Sequence, residues 1–366
     1  MKSTLIASFV ACQMLAAGQM PSPLQEPPPP SDHLELALAG AQPVQDVNQR
    51  AALVALLLRA FRQSNVRTQP YDLKTTFTSF GTSASDGTWK LQDTSPGQGV
   101  YRWTADGPSL SSVNLFLPGN VLYSNRPSPS VPLRLAQVRT VLFFKTAALG
   151  PRASLRSVAG SLDGTQVSCG LVSYGRNMGQ AVGPRRWEES EYCVEPSSGD
   201  LLTYSPVPGV YTLFDYSTAI HFHDKVIPSK FTITEGGKPV IEAQVDSLTD
   251  PSDADSPLFQ ADGLTAVGVG PLMTQPWRFH LLANSAATTS TGENSVVTLH
   301  GIRAPDASVS ELEVITASDS ALAEAALKLV QSTKSAAHLE DTQPGATPEF
   351  NEAFYTVTFV PGPIVR

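Results

Sequence analysis

From Ala51 to Leu58 every position is apolar, with Arg50, Arg59 and Arg62 bracketing the run. That is more than two helical turns, yet far below the about 20 residues needed to cross a bilayer. The segment 46–61, DVNQRAALVALLLRAF, therefore reads as a helix within a fold. A surface helix keeps a polar stripe and this stretch has none, which predicts a helix buried on all sides. The almost two hundred residues after it read as strands and turns.

Tyr71, Leu73, Thr75 and Phe77 alternate with Asp72, Lys74, Thr76 and Thr78, the period of a half-buried strand. Asp86-Gly87 turns the chain into Trp89 and Leu91, and short strands follow at 100–105, 113–117 and 121–124. This spacing predicts an antiparallel meander. Residues 131–144, VPLRLAQVRTVLFF, break the rhythm and read as a helix capping the open end of the sheet. The meander resumes at 154–162 and 167–174. Strands at 227–234 and 240–245, joined by Glu235-Gly236-Gly237-Lys238, form the clearest hairpin. Residues 250–262 are polar and 264–276 are Gly-rich without period, which predicts a linker. Beyond it come strands at 296–302 and 309–315 and a helix at 320–331. Leu322, Ala325, Ala326, Leu329 and Val330 give that helix one apolar stripe. Residues 353–360 form a last strand.

The 366 residues are 41% hydrophobic and only 16% charged, with a net charge of −8. An acidic chain without basic clusters excludes nucleic acid as a partner class, since phosphate neutralisation dominates such binding. Lys2, the apolar run 5–11 and Ala16-Ala17-Gly18 have the layout of a secretory signal peptide, residues 1–18. Phe9-Val10-Ala11-Cys12 is alternatively read as a lipobox, in which case Cys12 carries a lipid and provides membrane contact. Residues 19–44 are a Pro-rich spacer. In an exported chain the remaining cysteines, Cys169 and Cys193 in successive strands, are expected to be bridged.

The order of core helix, meander, CVEPSSGDLLTYS, VIPSKFTITEGGKPVIEAQVDSL and DSPLFQADG resembles the LolA/LolB-like lipoprotein-carrier fold over about residues 45–263. That resemblance implies an open half-barrel wrapped around a helix, with an apolar cavity for acyl chains. Ala307-Ser308-Val309, ITASDSALAEAAL from Ile315 to Leu327 and YTVTF from Tyr355 to Phe359 resemble the TonB C-terminal domain. The Trp-x-Phe-x-Pro of that family is absent. Together these give an α+β chain. A half-barrel at 45–263 is followed by a linker at 264–277 and a small β-β-α-β domain at 278–366.

Candidate chemistry is sparse. His221-x-His223 has metal-compatible spacing but no third ligand cluster beside it. There is no Gly-x-Ser-x-Gly elbow, and Gly268-Val269-Gly270 is no dinucleotide loop. The reading is a non-enzymatic cell-envelope binding protein without cofactor or metal, periplasmic or secreted. Its expected partner is an envelope protein adding a strand at Tyr355, Val357 and Phe359. Alternatively it is a lipid or lipoprotein carrier whose cavity is lined by Leu56, Trp89 and Trp103.

Overall fold

The computed structural model describes residues 41–81, 85–127, 131–143, 149, 153–174, 185–253, 256–269, 276–284, 295–304, 307–317, 319–333 and 352–360. The first part of the chain builds β1 (Gln42–Pro43), α1 (Val47–Ser64), β2 (Tyr71–Ser79), β3 (Gly87–Gly97), β4 (Val100–Gly107), β5 (Leu110–Leu117) and β6 (Val121–Ser124). Then follow α2 (Leu133–Leu142), β7 (Ala153–Leu162), β8 (Thr165–Tyr174), β9 (Ser190–Val194), β10 (Leu201–Val207) and β11 (Val210–Asp215). A small ribbon, β12 (Ile220–Phe222) and β13 (Lys225–Ile227), precedes β14 (Lys230–Glu235), β15 (Lys238–Thr249) and β16 (Thr265–Val269). The last part is β17 (Trp277–Asn284), β18 (Ser295–Arg303), β19 (Val309–Thr316), α3 (Ser320–Ser332) and β20 (Glu352–Val360).

Fourteen strands form one open antiparallel sheet in the order β1-β7-β8-β9-β10-β11-β14-β15-β2-β3-β4-β5-β6-β16. β6 lies beside one edge strand, whereas β7, the next strand in sequence, lies beside the other. The chain between them has to cross the whole width of the sheet. α2 lies in that crossing, and Leu133 through Arg139 are all buried, as is Val141. Tight turns keep the meander in register. Asp163-Gly164 and Gly236-Gly237 all take positive φ, which fits the twist of two-residue hairpin turns.

α1 differs from its expectation. Asp46 caps it by accepting from the Gln49 amide at 2.8 Å, and the Asn65 amide closes its end on the Phe61 carbonyl. Only Leu53, Leu57 and Ala60 are buried, on one face. Ala51, Ala52 and Ala55 are exposed and Leu56 is half-buried. Alanine favours helix and exposes little surface, so an unbroken apolar run rich in alanine does not require burial on all sides. The helix enclosed on nearly all sides is α2.

Three further corrections concern the C-terminal part. β16 falls within the expected linker and pairs with β6 through a bulge at Ala266/Gly268. Its glycine hid a short edge strand. A strand precedes the expected pair, since β17 runs parallel to β20 along Trp277–Asn284. The small sheet is therefore ordered β17-β20-β18-β19, and β20 lies inside it, bonded on both sides.

The two sheets meet through apolar and polar contacts. Ile315 and Phe354 of the small sheet are buried in the main core. A Cβ on Gly236 would stand 2.7 Å from the Ile315 carbonyl oxygen, so only glycine allows this hairpin turn to approach β19. Arg278 donates to the Pro206 carbonyl at 2.8 Å, and Trp187 stacks on His280 with ring centroids 3.8 Å apart. α3 covers the other face of the small sheet with Leu322, Ala326 and Val330 against Val297, Leu299, Tyr355, Val357 and Phe359.

Candidate functional site

α2 carries two arginines into the interior, and each finds its own carboxylate. Near the start of the helix, Arg134 grips Glu235 of β14 with both terminal nitrogens, and Gln137 donates to the same carboxylate at 2.9 Å. His300 of β18 stands 3.7 Å from Glu235 on one side and 3.7 Å from Glu352 of β20 on the other. Burial alone would raise the Glu235 pKa. Arg134, His300 and the hydrogen bonds from Arg134 and Gln137 outweigh it and hold the carboxyl below its ordinary range. This cluster binds α2, the large sheet and the small sheet together.

At the other end of α2, Arg139 reaches Asp93 of β3 at 3.2 Å and lies over the Trp103 ring. Burial lowers its pKa to about 10, so it remains a cation at neutral pH. The Tyr71 hydroxyl donates to Asp93 at 2.6 Å. Burial first, then Asp93, push that phenol well above its usual range, so it stays protonated. Arg67, just beyond α1, approaches the same Asp93 at 3.7 Å while stacking on Phe143. Two guanidinium groups thus share one carboxylate.

Between these elements lies an apolar cleft. Val141 and Leu142 of α2, Ser64 and Val66 at the end of α1, and Leu73, Phe231 and Val245 of the sheet form its walls. Phe214, Tyr216, Ile227 and Pro228 complete it. Its empty volume is 410 Å³, counting solvent at the mouth, but the part open to the centre of a water molecule is only 20 Å³. Ligand pockets of drug size span about 300–1,000 Å³. The cleft is a tight slot that has to widen for any chain-like ligand, and Leu142 is one of the two partly exposed positions in α2.

The expected cavity residues do not line this cleft. Trp89 stacks on Phe77 at 5.7 Å, donates to the Ser85 carbonyl and presses on Gly107, where a Cβ would stand 2.1 Å from its ring. Trp103 lies under Arg139, and Leu56 packs half-buried against the core. Aromatic residues at strand spacing filled the core instead of leaving a hollow. Tyr355, Val357 and Phe359 point into the α3 interface of a central strand. With both edges of β20 bonded, no free main-chain groups remain for strand addition.

Cys169 and Cys193 are directly opposite in β8 and β9 and form a disulfide. Cys12, the signal-like segment 1–18 and most of the Pro-rich spacer lie outside the described residues. His223, exposed in the turn between β12 and β13, bonds Asp250 at 2.9 Å. Among the described residues no helix is long and apolar enough to cross a membrane. The burial of the α2 arginines, and their partners Asp93, Glu235 and His300, were missed. The signal for the arginines was two cations inside an otherwise apolar helical segment.

No family model matches the chain, and no curated protein matches it. Among solved structures, a LolA superfamily protein from Nitrosomonas europaea is similar at 11% identity and a TM-score of 0.40, over 57% of this chain and 97% of that one. The complex of MucA and MucB from Pseudomonas aeruginosa is similar at 14% identity and a TM-score of 0.27, over 69% of this chain and 71% of that one. At these values the likenesses assign no function. Nothing in them supports the TonB resemblance of the C-terminal part.

Proposed function

We propose that this chain is an exported, non-catalytic binding protein that takes an apolar chain, such as an acyl group, into the cleft beside α2. The observation that carries this reading is the cleft itself, with apolar walls between two helices and a curved sheet. The disulfide supports an oxidising compartment outside the cytosol. The small sheet serves the site indirectly, because His300, with Glu352 on its other side, stands against the carboxylate that fixes the start of α2.

The test is titration of delipidated full-length protein with a fluorescent acyl probe, in wild type and in Ile227→Trp, which fills the slot. Saturable one-to-one binding is expected in the wild type, with affinity at least about tenfold weaker in the variant, about 1.4 kcal/mol. Absence of saturable binding in the wild type, or unchanged affinity in a folded Ile227→Trp protein, would refute the reading.

A further inference from the structure

Arg67 and Arg139 are two cations around one described carboxylate, Asp93, so this cluster carries one positive charge in excess. The third group on Asp93, Tyr71, contributes a neutral hydroxyl. Arg67 Nε and Arg139 Nε are buried without a hydrogen-bond partner, and Arg67 Nη2 has its 3.7 Å ion-pair contact with Asp93, too long for a hydrogen bond. A buried guanidinium with empty donors is costly, and folded proteins normally match such donors with acceptors. An oxyanion is the group that best fits planar, forked donors.

The cluster is continuous with the cleft. Val66, which lines the cleft, precedes Arg67, and Leu142, which also lines it, precedes Phe143, on which Arg67 stacks at 3.9 Å. Tyr71 and Leu73 are successive inward positions of β2, one at each site, and Val66, Tyr71, Leu73 and Phe143 belong to one packed cluster. We infer that the ligand is an anionic amphiphile. Its carboxylate or phosphate oxygens pair with the free donors of Arg67 and Arg139, and its chain occupies the cleft. Arg67 is the point of entry, being the more exposed of the two arginines at 13% of its side chain against 1% for Arg139. This inference rests on the proposed apolar-chain function and adds the charge of the headgroup.

The experiment compares laurate, dodecyl phosphate and dodecanol, three probes with the same chain, by calorimetry on delipidated full-length protein. Both anions are expected to bind at least about tenfold more tightly than dodecanol, the scale of one charge-assisted hydrogen bond. A preference for one anion over the other identifies the headgroup as carboxylate or phosphate, and either supports the inference. Arg67→Gln should bring the three affinities together, whereas Arg67→Lys should retain a preference for the anions. Equal binding of all three probes by the wild type would overturn the inference and leave the apolar cleft intact. A preference that persists in Arg67→Gln would overturn the assignment of Arg67. No binding of any probe would overturn the cleft reading and this inference with it. Should Arg67→Gln fail to fold, the wild-type ratio of anion to alcohol still decides.

Discussion

α1 and α2 reverse the places that their sequences suggest for them. α1 contains eight consecutive apolar residues, yet it lies on the molecule with one face buried and Ala51, Ala52 and Ala55 in solvent. α2 carries Arg134, Gln137 and Arg139 among its ten residues, yet it is enclosed almost completely. The difference teaches that connectivity, rather than the number of apolar residues in a segment, decides which helix is interior. The segment joining β6 to β7 has to cross the sheet, and a polar group on it can be buried if a partner awaits it. Glu235 and Asp93 are those partners, one near each end of the helix.

The largest effect that tests this contrast comes from matched arginine substitutions. Arg134→Met on α2 leaves Glu235 buried without its guanidinium, and removing one partner of a buried pair costs about 3–5 kcal/mol. Arg59→Met on α1 removes only exposed hydrogen bonds to the Ser197 and Ser198 carbonyls and should cost less than about 1 kcal/mol. Denaturant unfolding measures both. Similar losses in the two variants would place the two helices on the same footing.

Much of the architecture was legible. The alternating strands, the Asp-Gly and Gly-Gly turns, and the amphipathic stripe of α3 are local patterns, and local patterns are what a single sequence displays. The pairing of Cys169 with Cys193 also followed from strand succession and the expected export of the chain. What could not be read is long-range. That β20 inserts between β17 and β18 depends on which distant strands meet it, and β17 lay at the start of the expected C-terminal domain in a stretch assigned no element. The cleft is formed by residues from Ser64 to Val245, with no common motif. The salt bridge of Arg134 joins positions 101 residues apart.

A smaller effect separates the two carboxylates by pH. Burial first of all raises Glu191, on β9 in the wing that α1 covers, from its ordinary 4.5 to about 6 despite Arg185 nearby. A folded-state pKa above the unfolded one gives stability that is complete below about pH 4.5 and is lost as pH rises through 6. The Glu191 contribution therefore falls by about 2 kcal/mol between pH 4.5 and 7. Glu235 has the opposite sign. Its depressed pKa gives stability that is present above the ordinary carboxylate range and is lost as pH falls through the folded value. Unfolding free energies measured from pH 7 to pH 4.5 should show an upward contribution that is absent in Glu191→Gln. An unchanged profile in that variant would remove Glu191 as the source.

Hydrogen–deuterium exchange of the full chain, resolved to peptides of α1 and α2, tests most directly which helix the fold encloses. The amides of 136–142 in α2 are predicted to exchange only through global unfolding, whereas those of 51–56 in α1 open locally at lower free energy. Exchange of α2 ahead of α1, with α1 protected to the global limit, would contradict the account.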